Sequence, residues 1–589
     1  MADLLVITVL LPLVMALLGL TVPAVSGRLF RLIAQLTTGL TLVASLVLFA
    51  HLDPAQSSVQ FASVHPWLGL KLQFTLGLDG VSALGFVLAA LVGFAGTLLG
   101  RDVLAREKPF YLLYLVLVGG ALGAFAVRNL FFFYFFMEFE VLVAYVLIAG
   151  WGRAGQPNDA VVRERAALQL SLFASAGALL ALLGIIVLYS FAPGALNLDQ
   201  QAAALQQTPL PTTAANWIAL LLAVGFGVLL SAWPLHVWAP PAYAAAPTSV
   251  AMFSAGVLKQ LAAYGLLRIA LPLLPAASAQ FAAKLLVAGA VINILYLGWI
   301  TLRQTDGKML IAWASVSHAG YLLLGLAAMS SIGAQGVSLM IFASGVSAAL
   351  LFGLWGLLEA QTNRRELADY GGLARRAPFL GVAFTMAVFA AIGLPGFANF
   401  VSEILVLFGA WLHGALWMRL AVAAGVWGLV LTATYFLRAI RTVCFGPVAT
   451  TTEKLFAPRE TEKFAIVLLL VFLFAGGIWP RLATDLTKHS FPMLGKTGTT
   501  AFQALEQAGG VIRLRADASP GQARRPPTGG HSVAALTGSA SGAPTGALKN
   551  PTLVGGSSSS RETNISAPTT RELELPPTKQ SETKPTEKH

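Results

Sequence analysis

A chain of 589 residues that is 57% hydrophobic and only 11% charged is not a water-soluble globule, which would carry about a quarter charged residues. Its mean hydropathy of +0.75 marks a polytopic membrane protein, and the single cysteine, Cys444, excludes an internal disulfide and a cysteine-based metal cluster. The formal net charge of +12 resides in short loops and a polar tail, the pattern of membrane-flanking positive loops rather than of a nucleic-acid-binding surface.

The N-terminal "MADLLVITVLLPLVMALLGL" lacks a basic leader and a small-residue cleavage site, so it reads as a retained first span. Apolar runs then follow near 29–50, 80–100, 110–127, 129–151, 166–191, 215–233, 248–270, 279–302, 309–329, 334–360, 378–411, 415–443 and 462–479. With the first run at 3–22 they predict about fourteen transmembrane helices. The runs are continuous rather than alternating, which excludes a closed β-barrel. The predicted fold class is therefore an all-α polytopic membrane protein. From Asp517 the chain turns Pro-, Gly-, Ser- and Thr-rich, and such a segment cannot bury enough apolar surface to offset its ordering entropy. A disordered tail is expected there.

Basic residues predict the orientation. Alternate loops carry Arg28 and Arg31, then Arg101, Arg106 and Lys108, then Arg153, Arg163 and Arg165. The same side continues with Arg303 and Lys308, then Arg364, Arg365, Arg375 and Arg376, then Arg438, Arg441, Lys454, Arg459 and Lys463. The opposite loops hold little beyond Lys71, Arg128 and Arg268. The positive-inside rule makes the first set cytoplasmic, with both termini and the tail periplasmic or lumenal.

Three spans carry ionisable acidic or basic residues where lipid makes them costly. Glu138 and Glu140 sit mid-way along "NLFFFYFFMEFEVLVAYVLIAGWG", Lys259 lies in the eighth span, and Glu403 in the twelfth. Each ionised group at that depth costs roughly 2.5–3.5 kcal/mol, so each is expected to face a polar interior. A lone buried histidine such as His236 or His318 is more often a structural residue. Three ionisable residues on separate spans are harder to explain by packing. At 100° per residue the two glutamates point about 200° apart, so one should face an inner relay and the other a neighbouring helix or subunit.

Prolines break two spans. Pro234 interrupts the seventh, and Pro395, in "GLPGF", interrupts the twelfth. Freed backbone groups at membrane depth are tolerable only where protein or water satisfies them. If the fourth to eighth and the ninth to thirteenth spans form two five-helix units, both breaks fall in the fourth helix of their unit. Paired breaks mark inverted-repeat transporters, and an odd helix number makes consecutive units inverted. The expected domains are residues 1–109 with three spans, repeats at 110–275 and 276–446, a loop and last span at 447–485, and the tail at 486–589.

The stretches "FMEFEVLVAYVLIAGWG", "PLHVWAP", "GVLKQLAAYGLLR", "DGKMLIAWASVSHAGY", "RRELADYGGLARRAP" and "GLPGFANFVSEILVLFG" resemble, in type and order, the antiporter-like proton-pumping subunits of respiratory complex I. The glutamate at 403, where sister subunits carry lysine, resembles the subunit M (subunit 4, NdhD-type) branch. So does the absence of a long lateral helix after the last span, while the paired Glu138 and Glu140 resemble its cyanobacterial and plastid members.

The resemblance implies a proton relay across the membrane midplane. Glu138 would tune a neighbouring lysine, Lys259 would be the central carrier, and His236 and His318 would bridge through water. Glu403 would exchange protons with the outside, and Glu140 and Lys308 complete the implied set. A buried lysine can be made to release its proton by moving a nearby counter-charge, and histidine passes protons both ways near neutral pH. No redox motif is present, so flavin, iron–sulfur clusters and quinone are expected in partner subunits, with no cofactor held here. The implied setting is a bacterial inner membrane or a thylakoid membrane, with other membrane subunits and lipid as neighbours and no nucleic acid.

Several positions depart from the family. The lysine expected seven residues before His236 is Leu229, a histidine expected in the eleventh span is Ser344, and a lysine usual in the sixth is Gln169. The family's "WLPDAH" is here "WAPPAY", with Pro241 and Tyr243 replacing an acid and a histidine. Three functions therefore stand side by side: a proton-translocating subunit of a complex I-like quinone oxidoreductase; a structural subunit at the same place with weakened translocation; or a subunit of a multisubunit cation/proton antiporter or membrane-bound hydrogenase. Glu403 speaks against the third, and Leu229 keeps the second open.

Overall fold

The computed structural model describes residues 1–23, 27–56, 58–66, 73–100, 102–103, 105–152, 158–488 and 490. The expected disordered tail, and with it Lys71, Arg101 and Arg153, lies outside the described residues.

Among the described residues, thirteen helices are long and apolar enough to cross a membrane. They are α1 (Ala2–Thr21), α2 (Gly27–Ala50), α3 (Gly80–Leu99), α4 (Glu107–Ala126), α5 (Leu130–Trp151), α6 (Asp159–Ser190), α8 (Thr212–Leu229), α10 (Thr248–Ala270), α11 (Ala276–Leu302), α12 (Gly307–Ala327), α13 (Ser331–Thr362), α16 (Leu416–Cys444) and α17 (Glu460–Ile478). The remaining predicted span is split into α14 (Pro378–Ile392) and α15 (Ala398–Trp411), each too short to cross alone. The all-α expectation holds for the membrane body.

Two elements have no counterpart in the hydropathy pattern. An antiparallel hairpin, β1 (Gln60–Pro66) with β2 (Gln73–Leu78), fills the loop before α3, with Gln60 opposite Leu78 and Pro66 opposite Gln73. A short helix, α7 (Leu198–Gln207), follows α6.

Helix α13 is buried along its whole apolar window and is the spine of the molecule. It packs on α15, α3, α10 and α12. Its crossing with α10 is backbone against backbone: a Cβ added to Gly256 would come within 2.8 Å of Gly345 O. Small residues let membrane helices approach this closely where no hydrophobic effect drives them together.

Charge fixes both ends of α10. At its start, Thr248 N and Oγ1 donate to Asp102 Oδ2 at 2.6 and 3.0 Å. At its other end Arg268 pairs with Asp79, which also accepts from Arg128 Nη1 at 3.2 Å. Arg128 Nη2 in turn meets Asp199 Oδ1 at 2.9 Å. The end where α10 begins holds a second cluster. Lys308 Nζ lies 3.2 Å from Glu359 Oε2, Glu359 pairs with Arg365, and Arg365 Nη1 lies 4.0 Å from Asp306 Oδ2. Lys308 and Arg365 also donate to Ala246 O and Ala244 O at 2.9 and 2.8 Å. These carbonyls end α9 (Ala239–Ala245), the short helix beyond the first break.

Candidate functional site

The first break starts before its proline. Helix α8 ends at Leu229, residues through Trp238 form turns, and α9 resumes at Ala239. One side chain satisfies the opened backbone. Asn293 Oδ1 accepts from Trp233 N at 2.7 Å, while Asn293 Nδ2 donates to Ser231 O at 3.1 Å and Val316 O at 3.0 Å. Trp238 Nε1 adds a bond to Val228 O at 3.0 Å. An unpaired buried backbone group costs about as much as a lost hydrogen bond, so Asn293 is what makes this break tolerable in a membrane.

The second break is built on glycine. Gly393 and Gly396 have φ of +76° and +102°, and Pro395 lies between them. Gly393 is doubly constrained, because a Cβ there would also collide with the Glu403 carboxylate. The glycine thus makes both the turn and the space for the acid.

The two glutamates of α5 face apart, as the helical period requires. Glu140 is 1% exposed and lines an internal cavity of about 30 Å³ with Tyr243, Ser254, Lys259 and Leu229. Glu138 is half-buried and lines an outward hollow with Phe131, Phe135, Phe139 and Leu142, where Ser175 Oγ donates to its Oε1 at 2.6 Å. The glutamate beside the central lysine is therefore Glu140. Leu229, the position where the family lysine was expected, faces the same cavity.

Lys259 is 3% exposed and lies directly after a π-helical turn of α10, Ser254–Leu258. Such turns recur at functional sites because the extra residue rotates the next side chains about the helix axis. The Lys259 ammonium donates to Ser315 O at 2.7 Å and Ser315 Oγ at 2.6 Å. A second cavity of about 20 Å³ opens on its other side, lined by Ser315, His318, Ser344 and Ser347 among apolar side chains. Lys259 lines both cavities. Beyond the second, His318 Nδ1 lies 4.0 Å from Glu403 Oε1, and Glu403 is 3% exposed.

Glu140, Lys259, His318 and Glu403 thus form one polar row through an apolar interior. His236 stands apart in the first break, edge-on to Trp313 with ring centroids 5.6 Å apart, and lines neither cavity. Lys308 also stands apart, in the charged cluster at the end of the bundle. Both cavities have room for water, which needs about 10–15 Å³ per molecule and two to four polar partners. Among the described residues no group of three metal-ligating side chains comes together.

Residues 127–432, which contain the whole row, match the family described as NADH:quinone oxidoreductase/Mrp antiporter, TM. The chain belongs to this family. It is of the subunit M, or chain 4, type. NADH-quinone oxidoreductase subunit M of Pseudomonas aeruginosa is 34% identical over 480 residues, which is 79% of this chain and 92% of the relative. NAD(P)H-quinone oxidoreductase chain 4 1 of a Picosynechococcus species is 33% identical over 479 residues, 79% of this chain and 87% of that one. Among solved structures, a chain of respiratory complex I from Thermus thermophilus superposes with a TM-score of 0.73 at 29% identity, over 84% of this chain and 99% of its own length. A chain of the Mrp complex from a Dietzia species, at 20% identity and a TM-score of 0.70, shares the fold. The protein is an integral multi-pass membrane protein of this family.

The pattern of ionisable residues does not point to Ser315, Ser347, Gln260, Asn293 or Asn399, all buried among the helices. The available signal is weaker: an amide or a hydroxyl inside an otherwise apolar run. That signal is common in membrane helices and does not separate a relay residue from a packing one.

Proposed function

We propose that this chain is the membrane subunit of a complex I-like quinone oxidoreductase that moves protons across the bilayer, driven by electron transfer in partner subunits. The observation that carries this reading is Lys259, buried and shared by two cavities, with Glu140 across one and His318 and Glu403 across the other. A proton can be held on Lys259 and passed either way through water-sized gaps. Glu403, at the second break, exchanges it with the outer side. Flavin, iron–sulfur clusters and quinone belong to the partner chains. The two breaks, in the seventh and twelfth spans, support a division into inverted repeats at 110–275 and 276–446. Glu138, in a hollow open to the molecule's surface at membrane depth, supports a neighbouring membrane subunit on that face, since lipid alone would leave the carboxylate costly. The basic loops support cytoplasmic placement of the end that carries Lys308 and Arg365, with both termini on the periplasmic or lumenal side.

A positioned proton-transfer group contributes typically about 10²–10⁴ in rate. Lys259→Ala should therefore assemble into the complex, oxidise its donor and translocate fewer protons per electron. The measurement is the proton-to-electron ratio in proteoliposomes. A parental ratio in a fully assembled variant would favour the second reading, a structural subunit, for which Leu229 in the Glu140 cavity is the supporting observation.

A further inference from the structure

The cavity between Lys259 and His318 is lined by two serines whose hydroxyls each bond a backbone carbonyl and a side-chain amide. Ser344 Oγ donates to Met340 O at 2.6 Å and accepts from Gln260 Nε2 at 2.9 Å. Ser347 Oγ donates to Ser344 O at 3.2 Å and accepts from Asn399 Nδ2 at 3.2 Å. A hydroxyl has one hydrogen and two lone pairs. Each serine has therefore committed its hydrogen to the α13 backbone and one lone pair to an amide. What each has left is a single acceptor site. Gln260 adjoins Lys259 in sequence, and Asn399 lies one helical turn before Glu403, so the two amides tie the serine pair to both ends of the row.

The other groups around the cavity complement this. Lys259 spends two ammonium hydrogens on Ser315, leaving a third. His318 Nε2 is buried without a hydrogen-bond partner, while its Nδ1 is the nitrogen 4.0 Å from Glu403. The volume of about 20 Å³ suits one water.

We propose that Ser344 and Ser347, held by Gln260 and Asn399, are positioning residues for one water that carries protons between Lys259 and His318. The proposal rests on the relay reading above. The water accepts from the third Lys259 hydrogen, donates one hydrogen to the serine lone pairs and directs the other at His318 Nε2. In the transfer, the Lys259 N–H bond breaks and its proton joins the water oxygen. The water's imidazole-directed hydrogen passes to Nε2, and the water is regenerated. Lys259 becomes a neutral amine and His318 an imidazolium, whose Nδ1 hydrogen can then leave for the Glu403 carboxylate. Because both serine hydrogens are tied to the backbone, the serines offer the water only acceptors. The hydroxyls orient the water and stay out of the proton path.

The test uses the assembled complex in proteoliposomes. Ser344→Ala with Ser347→Ala should slow proton translocation about tenfold, the factor for one hydrogen bond lost in the transfer step. It should also raise the solvent deuterium isotope effect on turnover, which a purely structural loss would leave unchanged. Ser347→Thr keeps the hydroxyl and should stay near the parental rate. A double alanine variant with parental translocation and isotope effect would overturn the proposal. Should that variant not assemble, a structure of the parental complex fine enough to show ordered water decides. Water within hydrogen-bond distance of Ser344 Oγ or Ser347 Oγ and of His318 supports the proposal, and a dry cavity overturns it. If Lys259→Ala abolishes translocation while the serine variants do not alter it, only this inference fails. If Lys259→Ala is silent as well, the relay reading fails with it.

Discussion

At the scale of single residues, Glu138 and Glu140 show where the sequence stops being sufficient. The helical period alone separates them by about 200°, so one had to turn inward, and that much was legible. Which one turns inward depends on how α5 is rotated against α4 and α6, and that is a matter of packing. The resemblance points to Glu138, yet the glutamate that shares a cavity with Lys259 and Leu229 is Glu140. This gives a discriminating prediction. Leu229→Lys should pair with Glu140. At about 4 Å and an effective dielectric near 20 the raw attraction is about 4 kcal/mol, before desolvation is subtracted. A double-mutant cycle on the translocation rate, with Leu229→Lys and Glu140→Gln, should show a coupling of about 1 kcal/mol or more. The same cycle with Glu138→Gln should show little. Coupling to Glu138 in place of Glu140 would mean that α5 is rotated differently in the working complex.

At the scale of elements, the breaks were legible and their repair was not. Proline and "GLPGF" announce interrupted helices, because a proline cannot continue the hydrogen-bond ladder. The side chain that satisfies the first break, Asn293, lies far along the chain on α11, and only folding brings it there. The π-helical turn before Lys259 leaves no trace in the hydropathy pattern, and the hairpin between α2 and α3 carries too little periodicity to stand out. Asn293→Leu should strand the Trp233 N–H and the Ser231 carbonyl inside the membrane, while the Val316 carbonyl keeps its bond within α12. At about 1–3 kcal/mol for a buried group left unpaired, the variant should lose several °C of thermal stability in detergent and part of its yield in the complex. Gly393→Ala should do similar damage by a different route. An alanine at φ +76° is strained, by about 1–3 kcal/mol, and its methyl group would displace the Glu403 carboxylate. It should therefore lower translocation as well as stability, whereas Asn293→Leu should act mainly on stability. Unfolding midpoints and translocation rates measured on both variants check this. Equal stability of Asn293→Leu and the parent would show that the first break is satisfied by other groups.

At the scale of the whole molecule, the alternation of basic loops is matched by a segregation of contacts. Asp306, Lys308, Glu359 and Arg365 meet at one end of the bundle with the start of α10, while Asp79, Arg128, Asp199 and Arg268 meet at the other. Arg128 and Arg268, two of the basic residues at the second end, are held by Asp79 and Asp199, so they add little free positive charge there. An exposed basic surplus lies at the first end, in loops such as the one with Arg364, Arg375 and Arg376. Orientation should follow that surplus, which retains the first end in the cytoplasm. Cysteine labelling tests this cleanly because the native Cys444 is buried, at 2% exposure, and should stay silent. Gln207→Cys, at the exposed end of α7, should react with an impermeant thiol reagent added outside intact cells or spheroplasts. Arg364→Cys, in the exposed loop after α13, should react only once the membrane is opened. Labelling of both sites after opening would show that each is reachable. The reverse order in intact cells would turn the molecule over, placing Glu403 on the route to the cytoplasm and reversing the direction of the relay proposed for the row from Glu140 to Glu403.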